Sequence, residues 1–367
     1  MKKLGFGMMR LPLVDDGSEQ NVDIEETRRL VDVFMKNGFT YFDTAYMYHN
    51  YKSEEILRET VVTSYPRESF TVADKLPTMF LKEAEDMPRI FDEQLRKCGV
   101  EYFDYYMLHS MTAEYYDGIV KRIGAFDFIS EKKREGLVRE IGFSFHDNAD
   151  TLDRILSEHP EVDFVQLQIN YLDWEDENIQ SRKCYETARA HGKKIIIMEP
   201  VKGGTLANVS ETAKAIFSAA DSTMSVASWA VRYAASLDGV MMVLSGMSNM
   251  EQLHDNVGYM KDFCPLDDDE LETVKNASAA IRGSVEIPCT GCVYCLEGCP
   301  RDISIPSYFA LYNTEKLTGI SRVKDYFEAS KKHGKASDCI GCGKCEIACP
   351  QHLKIREYLE SVKKLFE

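Results

Sequence analysis

The 367-residue chain contains no uninterrupted run of about 18 apolar residues, so nothing in it reads as a membrane-spanning helix. Its opening, MKKLGFGMMRLP, has two lysines but no apolar stretch and no small-residue cleavage site behind them. That argues against a secretory leader and for a cytoplasmic protein. A basic excess is lacking as well. The 44 Lys and Arg residues stand against 60 Asp and Glu, a net charge of −16. A nucleic-acid partner would need a basic face for its phosphates, so that class is excluded. No G-x-G-x-x-G opens a helix after the first strand, because GFGMMRLP runs into a proline and then a polar loop. Cysteine is sparse outside two short blocks: eight of the eleven lie there, and Cys98, Cys184 and Cys264 read as small buried apolar residues. Without extracellular targeting a disulfide framework has no context, and the clustered cysteines point to metal in a reducing compartment.

What is present is a globular composition, 44% hydrophobic and 11% aromatic. Eight strand-like runs alternate with longer amphipathic stretches from residue 3 to about 247. They are KLGFGMM, FTYFDTA, FTVADKL, FDYYMLH, VREIGFSF, FVQLQIN, KIIIMEP and GVMMVLSG. Several are nearly continuous apolar runs, as strands buried on both faces are. Between them SEEILRETVV, MPRIFDEQLRKCG, ADTLDRILSEH and TMSVASWAVRYAAS carry helical periodicity. Strict alternation of this kind predicts an α/β chain whose first 282 residues form a closed (β/α)8 TIM barrel. A helix over PLDDDELETVKNASAAIR, acidic in its first turn and closed by Gly283, precedes the expected boundary. Residues 283–367 then form a small, mainly helical domain organised by cysteine.

The two blocks are CTGCVYCLEGCP (Cys289–Pro300) and CIGCGKCEIACP (Cys339–Pro350), each C-x2-C-x2-C-x3-C-P. Soft thiolates at this spacing wrap three corners of an iron–sulfur cubane, and the fourth cysteine ligates the other cluster in two-cluster proteins. The expected sets are Cys289, Cys292, Cys295 and Cys349 for one [4Fe–4S] cluster, and Cys339, Cys342, Cys345 and Cys299 for the other. Paired structural zinc sites would instead show two C-x2-C pairs set well apart. This region resembles the two-cluster bacterial ferredoxins, in the longer helical form found fused to dehydrogenases and reductases.

At the carboxyl ends of three consecutive barrel strands stand ionisable residues: Asp43, Lys75 and His109. Tyr48 follows Asp43 by five residues. With these residues the segment 1 to about 280 resembles the aldo-keto reductase family, whose D-x4-Y element falls on Asp43 and Tyr48, its lysine on Lys75 and its histidine on His109. The resemblance implies NAD(P)H-linked hydride transfer to or from a small carbonyl or alcohol substrate, with Tyr48 donating the proton. A free tyrosine has a pKa of about 10, and a nearby ammonium stabilises its phenolate. Asp43 would keep Lys75 charged, and His109 would orient the substrate oxygen. Tyr46 and Tyr51 lie close in sequence; family spacing selects Tyr48, leaving Tyr46, Tyr51 and Trp174 to suggest an apolar or ring-bearing ligand.

Cofactor positions carry over unevenly. Ser144 and Gln166 match the family's carboxamide contacts, but Phe145 stands where asparagine is usual, and Met198 replaces the stacking aromatic. LSGMSNMEQLHDNV aligns with the phosphate and adenine segment, placing Ser245, Gly246, Met247, Ser248, Gln252, Asp255 and Asn256 there. No Lys or Arg lies in that stretch, which leans towards NADH over NADPH. Lys202–Gly204 reads either as a phosphate-binding turn or as an ordinary one. Hydride carries two electrons and a cubane takes one, so FMN is the natural adaptor between them. Three readings stay open: an iron–sulfur oxidoreductase coupled to a ferredoxin-type partner, a plain carbonyl reductase braced by its clusters, and a non-catalytic redox sensor or electron-carrier subunit.

Overall fold

Eight parallel strands pair in sequence order and close on themselves: β1 (Leu4–Gly7), β2 (Tyr41–Asp43), β3 (Thr71–Pro77), β4 (Phe103–Met111), β5 (Val138–Phe145), β6 (Phe164–Gln168), β7 (Lys194–Met198) and β8 (Val240–Ser245). The computed structural model describes residues 2–14, 21–282, 286–318 and 320–367. Each strand coincides with a run expected from the sequence, β3 running on to Pro77 and β4 to Met111, because burial on both faces leaves those runs almost wholly apolar. Among the described residues no helix is long and apolar enough to cross a membrane.

Large side chains fill one end of the barrel interior. Tyr41, Tyr105, Met107, Phe164, Ile196 and Met242 form one cluster there. Its rings meet edge-on or tilted, Tyr41 to Tyr105 at 5.3 Å and Tyr105 to Phe164 at 5.4 Å. Phe164 fits only because residue 142 is glycine: a Cβ there would lie 2.5 Å from the Phe164 carbonyl oxygen and 2.7 Å from its ring.

Outer helices follow the expected periodicity. Asp86–Cys98 buries Met87, Ile90, Phe91, Gln94 and Cys98 on one stripe and stops at Gly99, whose φ of 69° suits a residue without a side chain. Ala149–Glu158 starts where the Asn148 side chain accepts from Thr151 N at 2.9 Å. The stretch read as one helix over 53–62 is a short helix, Ser53–Leu57, continued by a π turn, Arg58–Val62. Cys98 and Cys184 are buried as expected; Cys264 is exposed, since it follows the last barrel helix in an open loop.

The chain divides into two compact units. One comprises residues up to Asp176, Gln180–Pro200 and Ser228–Asp267; the other comprises Glu177–Ile179, Val201–Ala227 and Asp268–Glu367. The second unit therefore contains the acidic helix Asp268–Arg282 as well as the cysteine-rich end. Gly283, read as that helix's closing residue, lies outside the described residues. Helices Ile305–Thr318, Val323–Ala329 and Ile355–Phe366 pack about an aromatic stack, Tyr308 to Tyr326 at 4.6 Å and Tyr326 to Phe366 at 5.1 Å.

Replacing Gly142 with alanine forces backbone or ring to move in a filled layer. The expected loss is about 1–3 kcal/mol, read as a lower urea midpoint with unchanged slope.

Candidate functional site

β2, β3 and β4 end side by side, which brings their terminal ionisable residues together. Asp43, Lys75 and His109 are 3%, 0% and 2% exposed. Lys75 Nζ donates to Asp43 Oδ1 and, at 2.6 Å, to the Thr44 carbonyl. The second Asp43 oxygen accepts from Gln166 Nε2 at 3.1 Å. Burial lifts the Asp43 carboxyl above its ordinary range, while Lys75 and Gln166 pull it back. Burial, then the Lys75 charge, then His146, hold His109 well below its usual value, so its imidazole is neutral near pH 7.

Tyr48 reaches this group through a turn that few sequences adopt. His49, Asn50 and Tyr51 all have positive φ, at 49°, 51° and 67°. Each such non-glycine residue costs about 1–3 kcal/mol unless its surroundings hold it. Here Leu11 N donates to His49 Nε2 at 3.3 Å, and Lys97 Nζ donates to the Tyr51 carbonyl at 2.7 Å. Lys97 is itself held by the buried Glu54 at 2.6 Å. Glu54 accepts from Gln94, which also donates to the Lys75 carbonyl at 3.0 Å. One buried network thus fastens both the Tyr48 turn and the Lys75 backbone.

The result separates the three tyrosines. The Tyr48 ring lies 4.8 Å from Lys75 Nζ and 6.0 Å from the His109 ring. Tyr46 points elsewhere: its hydroxyl donates to Glu93 at 3.4 Å and its ring lies under Lys97 at 5.1 Å. Tyr46 and Tyr51 pack with Phe80 at 6.3 and 6.1 Å. Trp174 joins Tyr185 and Tyr233 instead.

Several of the positions expected to hold a nucleotide are hydrogen-bonded within the barrel. Ser144 Oγ accepts from Ser110 N at 2.8 Å, and Phe145 is buried with its backbone paired to Met111. Gln166 contacts Asp43, as above. Asn256 Nδ2 donates to Ser245 Oγ at 2.7 Å, and Gln252 Oε1 accepts from Ser248 N at 2.8 Å. Met198 ends β7 half-buried, next to Glu199, which has φ of 56° and whose carbonyl accepts from Asn170 at 3.2 Å. Two residues escaped sequence reasoning. Arg10 lies against Gly246, where a Cβ would be 3.0 Å from its own, and its carbonyl accepts from Ser248 Oγ at 2.8 Å. It brings to the 245–248 segment the cation that stretch lacks. Asn170 organises the loop after β6 by accepting from Leu172 N and Asp173 N. Neither carries a motif; only chain folding places them.

The structure gathers one of the expected cysteine sets around a common cavity. Cys339, Cys342, Cys345 and Cys299 line one cavity with Pro300, Arg301 and Ile340. Burial pushes the Cys295 thiol up, reinforced by neighbouring Cys292, Cys289 and Cys349 and by Cys345 of the other set. Among the described residues, neither group closes to the spacing of a single-ion site. Gly291 N donates to Cys289 Sγ at 3.4 Å; burial lifts the Cys349 thiol, and the peptide N–H groups of Leu353, Gln351 and His352 pull it back. Eight thiols in two close-spaced blocks, with an N–H donor turned towards sulfur, suit iron–sulfur clusters.

A barrel with this rim belongs to a broad class of oxidoreductases. Residues 3–279 match the aldo/keto reductase family, and the chain is a member of it; residues 288–354 match the 4Fe-4S dicluster domain. An uncharacterized oxidoreductase of Schizosaccharomyces pombe is 26% identical over 270 residues, which cover 70% of this chain and 81% of the yeast protein. Among solved structures, the holo form of an aldo-keto reductase from Bacillus halodurans is similar with a TM-score of 0.61 and 21% identity, over 75% of this chain and 91% of that one. An aldo-keto reductase from Klebsiella pneumoniae in complex with NADPH follows at 0.59 and 16%, over 75% and 90%. At these identities the structural likeness speaks to the fold.

Asp43→Ala leaves the Lys75 ammonium buried without its carboxylate. The expected cost is about 3–5 kcal/mol, much of it recovered in the double variant Asp43→Leu/Lys75→Met, measured by urea unfolding. His109 is held neutral in the fold, so the unfolded chain takes up a proton there as pH falls below about 6.5, and stability drops with it. His109→Asn should flatten that part of the decline in melting temperature between about pH 7 and pH 5.

Proposed function

We propose that the barrel interconverts a small carbonyl compound and its alcohol using NADP(H), with Tyr48 as proton donor. The observation that carries this is the position of the Tyr48 ring beside the Lys75 ammonium and the neutral His109, while Tyr46 is committed to Glu93. When bound, the reduced nicotinamide supplies the hydride. Tyr48 gives its hydroxyl proton to the substrate oxygen and regains one from water. Lys75, kept charged by Asp43, stabilises the phenolate left behind. Neutral His109 donates a hydrogen bond to the same oxygen and sets its direction. Ser144, Gln166, Met198, Ser245, Gly246, Gln252 and Asn256 would line the cofactor's path, with Arg10 supplying a cation for phosphate. That cation and the NADPH complex of the Klebsiella relative turn the preference from NADH to NADPH. Tyr46, Tyr51 and Phe80 offer an aromatic wall to an apolar substrate.

Residues 283–367 act in this reading as the electron-carrying domain. Cys289, Cys292, Cys295 and Cys349 would hold one [4Fe–4S] cluster, and Cys339, Cys342, Cys345 and Cys299 the other. The clusters, when bound, supply one-electron storage. Coupling to two-electron chemistry calls for an adaptor, and FMN remains the group of suitable chemistry. A second reading, clusters as braces, is favoured by the place of Cys295, Cys345 and Cys349 in the hydrophobic core of their unit.

Tyr48→Phe should lower kcat for aldehyde reduction by about 10²–10⁴ while leaving NADPH binding, followed by fluorescence, unchanged. Near-normal turnover would remove Tyr48 from its role. Visible spectra of the anaerobic holoprotein before and after NADPH decide between the coupled and bracing readings: bleaching supports coupling, and clusters that stay oxidised with added flavin leave them as braces.

A further inference from the structure

β4 is irregular where it delivers His109. Leu108 pairs with Phe143 of β5 and Met111 with Phe145, so two residues, His109 and Ser110, stand opposite the single Ser144. This is a β-bulge, which breaks the ladder locally and re-aims the side chains it carries. Ser110 bears the strain. Its φ is 57°, and among the described residues no other position inside a barrel strand has a positive φ. A residue other than glycine keeps such a φ only where its surroundings hold it.

A bulge also takes backbone groups out of the regular ladder, and buried ones need other partners. Two hydroxyls serve here. From the β5 side, Ser144 Oγ accepts from Ser110 N at 2.8 Å. On the β3 side the residue paired with His109 is Pro77, which has no N–H to give. The next residue, Thr78, donates its hydroxyl to the His109 carbonyl at 2.5 Å. Thr78, His109 and Ser144 are 1%, 2% and 1% exposed, so water does not compete for these bonds. Past the bulge, His146 N donates to the Met111 carbonyl at 3.0 Å and Ala113 N to Asp147 Oδ2 at 2.7 Å. Those two ties and Ser144 all come from β5 and the loop after it. Thr78 supplies the tie from the opposite neighbour.

We propose that Thr78 is a positioning residue for the reduction: its hydroxyl, with Ser144 opposite, clamps the bulge that aims the His109 ring at the substrate oxygen. The inference rests on the carbonyl-reducing reading above. Thr78 acts through His109 and through no contact of its own with substrate or coenzyme. A hydrogen bond to a reacting oxygen tolerates little displacement, and a shift of about 1 Å at such a group costs about 10²-fold in rate. Without the Thr78 hydroxyl the His109 carbonyl loses its tie to β3, and the strained bulge relaxes towards β5.

Thr78→Val keeps the size and branching of the side chain and removes the hydroxyl, while Thr78→Ser keeps the hydroxyl. With full-length holoprotein, NADPH and benzaldehyde, Thr78→Val should lower kcat/KM about ten- to hundredfold and leave NADPH affinity, followed by fluorescence, unchanged. Thr78→Ser should recover most of the loss. Made in His109→Asn protein, the valine substitution should change the rate by no more than about twofold, because nothing is left for Thr78 to position. A loss that persists in full in that background would make Thr78 a packing residue and overturn the proposal. So would wild-type rates in Thr78→Val, a serine variant as slow as the valine one, or an NADPH affinity that falls with the rate. If Thr78→Val does not fold, Thr78→Cys takes its place, since a thiol of similar size is a weak donor; a cysteine variant as fast as the serine one would overturn the proposal too. Wild-type protein that reduces no aldehyde, or a Tyr48→Phe variant of normal rate, would overturn the carbonyl-reducing reading itself, a separate outcome.

Discussion

A lysine ammonium with no exposed surface sits at the mouth of an apolar barrel, and most of the site's architecture answers the cost of putting it there. An isolated charge in such surroundings loses several kcal/mol of hydration, and only a partner close enough to share hydrogen bonds offsets that. Asp43 is that partner, delivered by the end of the neighbouring strand, and the Thr44 carbonyl takes a second proton of the ammonium. Gln166 in turn steadies Asp43 from across the barrel. The ion pair adds little net stability beyond what apolar side chains of similar size would give. Its consequence is a fixed positive charge held in a dry place, where its effect on a neighbouring phenol is strongest.

Placement of that phenol depends on strain distributed elsewhere. Three consecutive positive-φ residues follow Tyr48, and they persist because Leu11, Lys97 and Glu54 hold them from separate parts of the fold. Gln94 links the same network to the Lys75 backbone. Turn and strand end are therefore registered against one helix, Asp86–Cys98, so that tyrosine and lysine keep a common frame. The cysteine-rich unit solves its own problem differently. With few strands to bury, it packs three helices about Tyr308, Tyr326 and Phe366 and folds its thiols into that core.

Much of the fold was legible from residue order. Parallel strands covered on both faces write themselves as apolar runs, and helices between them show their stripes, so eight strands and their order followed from pattern alone. Boundaries slipped where a local irregularity intervened, as in the π turn after Leu57, which periodicity does not register. Asp43, Lys75 and His109 stood out because each ends an apolar run with a charge or a polar ring. Arg10 and Asn170 did not, since an arginine in a loop after β1 gives no sign of lying beside residue 246. Cys264 was misjudged for a related reason: cysteine's preference for burial is an average, and an open loop overrode it.

Periodicity by itself determined the closed barrel, while the residues at the strand ends and the two cysteine blocks carried the resemblance that the family matches bear out. Tertiary structure decided what spacing leaves degenerate. It turned Tyr48 rather than Tyr46 towards Lys75 and brought a distant arginine to the segment that lacks one. Each of these depends on contacts between residues far apart in the chain, and a linear sequence carries no record of which distant neighbours its folding will supply.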